Sequence, residues 1–415
     1  MNEFSYLFLF FLAGSVSLKL WLNKRQTNHI LRHREQVPSD FEGKIELSAH
    51  QKAADYTVAK THIATLSTLL SSVILIMLTL GGGVNILLSL VQTYIVSDLW
   101  AGVTLMMSVF IISHFIELPI EIYQTFKIEQ KFGFNRTTTG QFIKDQLLQL
   151  ALMLIIGCPL IYALLWVMGE MGDYWWLYAG AFTVSFTFFM TWLVPTIIAP
   201  LFNKFTPLED EHLKSKIQHL FERCGFKSKG IYVMDGSRRS GHGNAYFTGI
   251  GNNKRIVFYD TLIESLNADE VEAVLAHELG HFKCKHISRQ MVVSSLMTLV
   301  AFAILGWLKQ QSWFFDGLGV TQINNASALL LFLLITPIFS TFIHPISSYY
   351  QRKFEFEADA FASTMSKPEF LIQALVKLYR ENASTLTPDP LYSSFHHSHP
   401  PAGVRIDHLK SLEKC

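Results

Sequence analysis

Hydrophobic residues along this chain gather in long, nearly unbroken runs that polar segments separate. A membrane-spanning helix needs about 20 predominantly apolar residues. Seven runs have roughly this length: 4–22, 63–80, 99–122, 147–168, 175–199, 291–308 and 326–345. Basic residues follow the first run, whereas in a signal peptide they precede it. The pattern predicts a mainly α-helical polytopic protein with about seven transmembrane helices. The shorter apolar stretch 84–96 is predicted to be an interfacial segment or an extension of its neighbours.

The basic residues are unevenly distributed over the connections between these runs. Segments 23–62 and 123–146 carry seven and four Lys or Arg residues, whereas 81–97, 169–174 and 310–325 carry none. Lys and Arg accumulate in cytoplasmic connections. The asymmetry predicts an N-terminus outside the membrane and places both large polar portions of the chain on the cytoplasmic side.

Those polar portions have the mixed pattern of a folded domain. Residues 211–223 are amphipathic with helical spacing, 230–234 form an apolar strand, and 244–249 with 255–259 form a hairpin joined across 251–253. An edge strand in this hairpin suits an extended substrate peptide, and an ordinary two-stranded flap fits the pattern equally well. We divide the chain into a membrane domain 1–199, a first polar part 200–290, two spans in 291–347 and a second polar part 348–415.

Composition supports the membrane assignment and indicates which kinds of partner to expect. Of the 415 residues 50% are hydrophobic and only 16% are charged, against about 25% charged in typical soluble proteins. The net charge is +1 and no basic stripe with interleaved aromatics is present, so we expect membrane lipid and no nucleic acid as a partner. The four cysteines are far apart in the sequence and show no C-x-x-C spacing, so we expect them to be unpaired thiols.

The clearest chemical signal is HELGH, which spans residues 277–281. Asn267 and Glu270 have the spacing of a helix-starting capping box, so the motif is predicted to lie on a helix. On a helix His277 and His281 share one face, and Glu278 lies beside them. Two imidazoles and one further ligand leave a tetrahedral Zn²⁺ with an open position for water. A helix surface with two histidines is often nothing more, so a second match is needed.

The second match is RKFEFEADAFA at 352–362, which follows the last span and again has a helical pattern. Glu355 and Asp359 lie four residues apart on one face, so Glu355 is a candidate third zinc ligand and Asp359 a candidate partner of a ligand histidine. Glu357 is the competing ligand candidate. A carboxylate pair on a helix is usually solvated, but this one is flanked by phenylalanines and emerges on the same side of the membrane as HELGH.

HELGH at 277–281 together with EFEAD at 355–359 resembles the gluzincin membrane proteases of the CAAX prenyl protease 1 type, the Ste24 endopeptidases of peptidase family M48. The similarity extends over essentially the whole chain. Further matching segments are FGFNRTT at 132–138, PLFNKFTPLED at 200–210, GHGNAYFTG at 241–249 and HSHPPAGVR at 397–405.

The resemblance implies a ring of seven tilted helices around a large chamber, capped on the cytoplasmic side by an α+β zinc-peptidase domain made of the two polar parts. It implies one zinc ion held by His277, His281 and Glu355. Glu278 is then the general base, and Asp359 matches a position with a proton-donor or supporting role. The residues that it implies for contacts with the substrate backbone and the scissile carbonyl are Asn244, His399 and Arg405.

We therefore expect a membrane-embedded zinc metalloendopeptidase. The family activity is C-terminal processing of prenylated CAAX proteins. Short outer connections resemble the bacterial branch of the family, which predicts a bacterial inner-membrane protein and leaves general peptide quality control open as the role. The alternative is a zinc-binding membrane receptor or transporter without proteolysis. Ionisable residues are few inside the predicted spans, and the candidate zinc ligands lie outside them, which favours the enzyme.

Overall fold

The computed structural model of the chain describes residues 1–226, 228, 230–248 and 255–413. Within this part, six helical stretches are long and apolar enough to cross a membrane: Glu3–Arg32, Leu47–Leu78, Asp98–Glu129, Thr139–Glu170, Gly172–Phe202 and His286–Leu308. Two further helices, Asn325–Ser340 and His344–Met365, pass the same test together and form a seventh span if the bent pair is counted as one. The predicted mainly α-helical multi-pass architecture is confirmed.

The N-terminal half is helical throughout. Its helices are α1 (Glu3–Arg32), α2 (Leu47–Leu78), α3 (Gly83–Tyr94), α4 (Asp98–Tyr123), α5 (Thr139–Leu152), α6 (Cys158–Glu170), α7 (Trp175–Leu193) and α8 (Ala199–Phe202). Wider π-helical turns extend α4 and join α5 to α6 and α7 to α8, so each of these stretches runs on without a break.

The first two helices continue beyond the apolar runs that predicted them. α1 ends only at Arg32, and α2 already begins at Leu47. Asn23, in the extension of α1, donates from Nδ2 to Thr65 Oγ1 on α2 at 3.0 Å. Hydropathy marks the part of each helix that suits the hydrocarbon core, whereas the helices themselves continue into the polar region.

The stretch predicted as interfacial or as an extension is a helix of its own, α3. Gly82, with φ 76°, provides the left-handed turn between α2 and α3. Asn85 Nδ2 donates to the carbonyl oxygen of Gly319 at 2.6 Å, which connects α3 to the segment between the last two predicted spans.

The last predicted span is divided between two helices. The helix α14 (Asn325–Ser340) ends before the new helix α15 (His344–Met365) begins, and the two are bent by 66°. Pro337 lies in the last turn of α14, and Pro345 lies in the first turn of α15, where its missing N–H costs nothing. The predicted span over 326–345 therefore contains a bend, and Pro345 lies in the first turn of the helix that carries EFEAD.

A four-stranded sheet lies in the peptidase half. Its strands are β1 (Phe205–Pro207), β2 (Gly230–Met234), β3 (Ala245–Thr248) and β4 (Arg255–Tyr259), in the order β1-β2-β4-β3. β2 and β4 are parallel, whereas β1 and β3 pair antiparallel with them at the two edges. The predicted strand 230–234 and the pairing of the two hairpin strands are confirmed, while the connection 251–253 lies outside the described residues. The three-residue β1 was not predicted.

The remaining helices complete the peptidase half and the last spans. They are α9 (Glu211–Cys224), α10 (Asp260–Ser265), α11 (Ala268–Lys283), α12 (His286–Leu308), α13 (Ser312–Gly317), α14, α15, α16 (Pro368–Glu381), α17 (Pro390–His396) and α18 (Ala402–Leu412). The amphipathic helix predicted over 211–223 is α9. One buried apolar cluster joins the membrane helices, and a separate one joins the sheet with α9, α11, α16 and α18. α11 belongs to the second core, and Ala362 of α15 packs in the same core.

Candidate active site

The helix α11 carries HELGH, and its start is fixed by polar contacts. Asn267 Oδ1 accepts from the Glu270 backbone N–H at 3.0 Å, and Glu270 Oε2 accepts from the Asn267 N–H at 2.8 Å. This is the predicted capping box. Lys377 Nζ on α16 donates to the same carboxylate at 2.7 Å, so the buried Glu270 is paired. The rotation of α11, and with it the direction of its histidines, is thereby held from its first turn.

Close packing of α11 on α15 brings the two motifs together. A Cβ atom at Gly280 would lie 2.8 Å from the Ala358 Cα and 2.9 Å from its carbonyl oxygen. Only glycine at this position allows the helices to approach so closely. Gly280 is part of HELGH and Ala358 is part of EFEAD, so this contact sets the distance between the two sets of polar side chains.

His277, His281 and Glu355 form a compact set of donor atoms. His277 Nε2 and His281 Nε2 are 3.3 Å apart, and the Glu355 carboxylate lies 3.4 Å from the first and 3.2 Å from the second. Donors that bind a tetrahedral ion through bonds of about 2.0–2.1 Å are about 3.3–3.4 Å apart. The three side chains therefore have the spacing and the chemistry of a zinc site.

Burial and hydrogen bonding also fit a cation. Glu355 Oε2 is buried and makes no hydrogen bond of good geometry within the described part of the chain, although His277 Nε2 and Arg405 Nη1 each lie 3.4 Å away. Burial alone would raise the pKa of Glu355, but the imidazoles of His277 and His281 hold it far below its usual range. One carboxylate oxygen thus lies near each imidazole, and the buried Oε2, which has no hydrogen bond among the described residues, is an atom that a metal ion would satisfy.

Asp359 contacts the candidate ligand His277, and Arg405 in turn binds Asp359. Asp359 Oδ1 lies 2.8 Å from His277 Nδ1, and its carboxylate accepts two bonds from the Arg405 guanidinium, at 2.9 Å from Nε and 2.6 Å from Nη2. Both side chains are buried. Burial and the Arg405 charge would lower the pKa of His277, yet its hydrogen bonds to Asp359 and Glu355 raise it to about 9. With Nδ1 of His277 held by Asp359, its Nε2 faces Glu355 and His281.

Glu278 has a different environment. Its side chain is half-buried, and it forms no hydrogen bond or ion pair with any residue that the structure describes. It follows the ligand candidate His277 directly on α11. The Glu278 carboxylate lies next to the three candidate metal ligands, and no described residue binds it. It is therefore available to accept a proton.

Of the other two predicted substrate-binding residues, His399 lies close to a metal-ligand candidate, whereas Asn244 makes no direct contact with one among the described residues. His399 Nε2 is 3.4 Å from Glu355 Oε1, and the His399 side chain is 64% exposed, so it faces the set from its solvent side. Asn244 is exposed and directly precedes the edge strand β3, where its carbonyl oxygen accepts from the Tyr259 N–H at 2.9 Å. No hydrogen bond or ion pair between described residues connects Asn244 to the three metal-ligand candidates.

Sequence reasoning missed two features of the site. His286, which sequence analysis did not assign to the site, is 2% exposed, and its Nδ1 lies 3.0 Å from His281 Nδ1. Glu357, considered as a competing ligand, instead lies 2.9 Å from His286 Nε2 through its Oε2. A local signal was present in the spacing of the histidines, but the backbone turn that brings His286 to His281 has no glycine to mark it.

Two protein-family models match the chain and together cover nearly all of it. The model described as CAAX prenyl protease N-terminal, five membrane helices, matches residues 26–204, and the model of peptidase family M48 matches residues 207–413.

Curated proteins and a solved structure give the same result. CAAX prenyl protease 1 homolog of Arabidopsis thaliana is 38% identical over 73% of this chain and 72% of its own length. CAAX prenyl protease 1 of Saccharomyces cerevisiae is 36% identical over 72% and 69%, respectively. The crystal structure of Ste24p from S. mikatae matches with a TM-score of 0.91 and 31% identity, covering 99% of both chains.

Proposed function

This chain belongs to peptidase family M48 and is a membrane zinc metalloprotease of the CAAX prenyl protease type, and from this premise we propose how its residues perform the reaction. One zinc ion is held by His277, His281 and Glu355, and Glu278 is the general base. The observation that carries the ligand assignment is the 3.2–3.4 Å spacing of the three donor groups around a buried carboxylate oxygen. The alternative of a receptor or transporter without proteolysis has no support from the relatives.

The chemistry divides between the ion and the chain. When bound, zinc lowers the pKa of a water molecule to about 7 and polarises the scissile carbonyl. Glu278, half-buried and without a hydrogen bond among the described residues, would act as the general base towards the attacking water and would pass the proton to the leaving amine. His399, on the solvent side of Glu355, is placed to donate a hydrogen bond to the oxygen on which negative charge develops.

Asp359 and Arg405 have a supporting role in this proposal. Sequence analysis leaves Asp359 either a proton-donor or a supporting role and predicts a substrate contact for Arg405. The contacts favour a supporting role for both residues, because Asp359 binds His277 Nδ1 and Arg405 binds both oxygens of Asp359. Asp359 orients His277, and Arg405 keeps the buried carboxylate charged.

The substrate is proposed to be a peptide or protein chain, with a prenylated C-terminus as the preferred class, because the relatives are named CAAX prenyl proteases. The edge strand β3 supports binding of an extended chain, since β4 is its one neighbour among the strands of the described residues. Peptides are often bound by adding a strand to such an edge. Asn244, exposed at the start of β3, is placed to bind a backbone amide of the substrate.

The active site is proposed to face the cytoplasm. Both basic connections contact the peptidase half: Arg25 pairs with Asp389 at 3.0 Å, and Asp145 pairs with Arg239 at 2.7 Å. The segments rich in Lys and Arg therefore lie on the same side as the zinc residues, and the positive-inside rule assigns that side to the cytoplasm. Location in a bacterial inner membrane stays a prediction.

The test uses detergent-purified protein and two fluorogenic peptides that differ only in a farnesyl group on the CAAX cysteine. Glu278→Gln is expected to bind one zinc ion per chain and to lose cleavage by at least a hundredfold, because the base contributes about 10²–10⁴. Glu272→Gln is the matched control, since it removes a carboxylate from the same helix at a position paired with Lys216 and Arg223.

Zinc-dependent cleavage that prefers the farnesylated peptide supports the proposed substrate class. Equal cleavage of both peptides favours a general peptidase. Wild-type turnover by Glu278→Gln contradicts the proposed mechanism.

A further inference from the structure

His286, the first residue of α12, lies in an unexpected position close to His281. In an unbroken helix, a side chain five residues beyond His281 would point about 140° away from it. Lys285, however, has φ 58°, in the left-handed region, and this turn separates α11 from α12. His286, the first residue of α12, is thereby folded back towards His281.

His286 connects His281 to a carboxylate. Its Nδ1 lies 3.0 Å from His281 Nδ1, and its Nε2 lies 2.9 Å from Glu357 Oε2. The His286 side chain is 3% exposed, and the Phe354 ring stacks on it with centroids 4.3 Å apart and an interplanar angle of 11°. The ring plane and both nitrogens of His286 are therefore held.

The donor and acceptor roles of Glu357, His286 and His281 follow from the chemistry of their side chains. Glu357 is an acceptor, so the neutral His286 ring carries its proton on Nε2 and presents the lone pair of Nδ1. That lone pair accepts the Nδ1–H of His281. With its proton on Nδ1, His281 has the lone pair on Nε2, the atom that faces His277 Nε2 and Glu355.

We infer that His286 and Glu357 form a positioning pair that fixes the tautomer and ring orientation of His281 for zinc binding. The inference rests on the proposed role of His281 as a zinc ligand. It gives each ligand histidine its own support from α15: Asp359 contacts His277 directly, and Glu357 acts on His281 through His286. Such supporting partners typically change metal affinity by about 10- to 100-fold when they are removed.

The same side chains offer a second interpretation. Donor atoms of Cys284, His286 and Glu357 lie within 4.8 Å of one another, which is close enough to hold a second metal ion. Two contacts favour the positioning pair. Both ring nitrogens of His286 already have partners, and Arg289 Nη1 lies 3.4 Å from Glu357 Oε2, where its positive charge opposes a bound cation.

The test measures zinc affinity by chelator competition and zinc content by elemental analysis, neither of which requires turnover. His286→Ala is expected to raise the zinc dissociation constant about 10- to 100-fold. His286→Gln should recover part of this loss, because its amide oxygen can accept from His281. Glu357→Ala should weaken binding more than Glu357→Gln, whose carbonyl oxygen still accepts from His286. Cys284→Ser is the matched control and should bind like the wild type.

Thermal unfolding of the zinc-free variants checks that they fold. If His286→Ala does not fold, the comparison of Glu357→Ala with Glu357→Gln carries the test on its own. His281→Ala separates this inference from the proposed ligand set, because zinc retained by that variant overturns the ligand assignment itself.

Zinc lost in His281→Ala but bound with wild-type affinity in His286→Ala and Glu357→Ala overturns the positioning pair alone. A wild-type content of two ions per chain, reduced to one in both Cys284→Ser and His286→Ala, overturns it in favour of a second metal site.

Discussion

Gly280→Ala tests whether the close approach of α11 and α15 builds the zinc site. The added Cβ would lie 2.8 Å from the Ala358 Cα and 2.9 Å from its carbonyl oxygen. Non-bonded carbon atoms prefer about 3.5–4.0 Å, so the helices must separate by roughly 0.7 Å or more. Both contacts are with backbone, which a side-chain rotation cannot relieve.

Two consequences follow from this separation. Overpacking costs about 1–3 kcal/mol, and about 1 kcal/mol of it is offset because alanine favours a helix more than glycine does. The zinc site should suffer more, because metal–ligand distances tolerate only about 0.2 Å. We expect the zinc dissociation constant to rise at least tenfold, while thermal stability falls only modestly.

The assay compares zinc affinity by chelator competition with the unfolding temperature of the metal-free protein. Gly403→Ala is the matched control, because a Cβ there would meet its nearest neighbour, Asp40 Oδ2, at an ordinary 3.7 Å. The control should keep wild-type zinc affinity and show equal or slightly higher stability, since it gains helix propensity without a clash. Wild-type zinc affinity in Gly280→Ala would refute the claim that this contact sets the geometry of the site.

Three further predictions concern the buried charges and the turn at the site. Arg405→Ala leaves the Asp359 carboxylate buried without its cation, so thermal unfolding should reveal a loss of about 3–5 kcal/mol; an unchanged unfolding midpoint would contradict this. Zinc must displace a proton from His277, whose pKa in the metal-free protein is raised to about 9, so apparent zinc affinity should rise with pH up to about 9 and level off above it. A titration that is flat between pH 7 and 9 would show that His277 is already neutral. Lys285→Gly should raise stability by up to about 1 kcal/mol, because glycine adopts φ 58° without strain, and a lower unfolding temperature would count against that.

Most of the helices follow from local sequence patterns. Asn267 and Glu270 identify the start of α11 because a capping box depends on residues three apart. HELGH and EFEAD likewise place their polar side chains on helix faces by spacing alone. Their meeting at 3.2–3.4 Å depends on the long-range contact between Gly280 and Ala358, which no local pattern specifies.

The features that sequence analysis missed depend on backbone changes without a local signature. His286 reaches His281 only because Lys285 takes a left-handed conformation that glycine usually adopts. Pro345 falls within an apolar run, yet it starts a new helix instead of ending a span, since hydropathy does not detect a 66° bend. The short β1 is recognisable only from its pairing with β2.

The most direct test of the account is the position of the metal in a crystal of the zinc-loaded protein, measured by anomalous diffraction at the zinc absorption edge. The account predicts one peak about 2.0–2.2 Å from His277 Nε2, His281 Nε2 and a carboxylate oxygen of Glu355. A peak at Cys284, His286 and Glu357, or any principal peak away from the three proposed ligands, would contradict it.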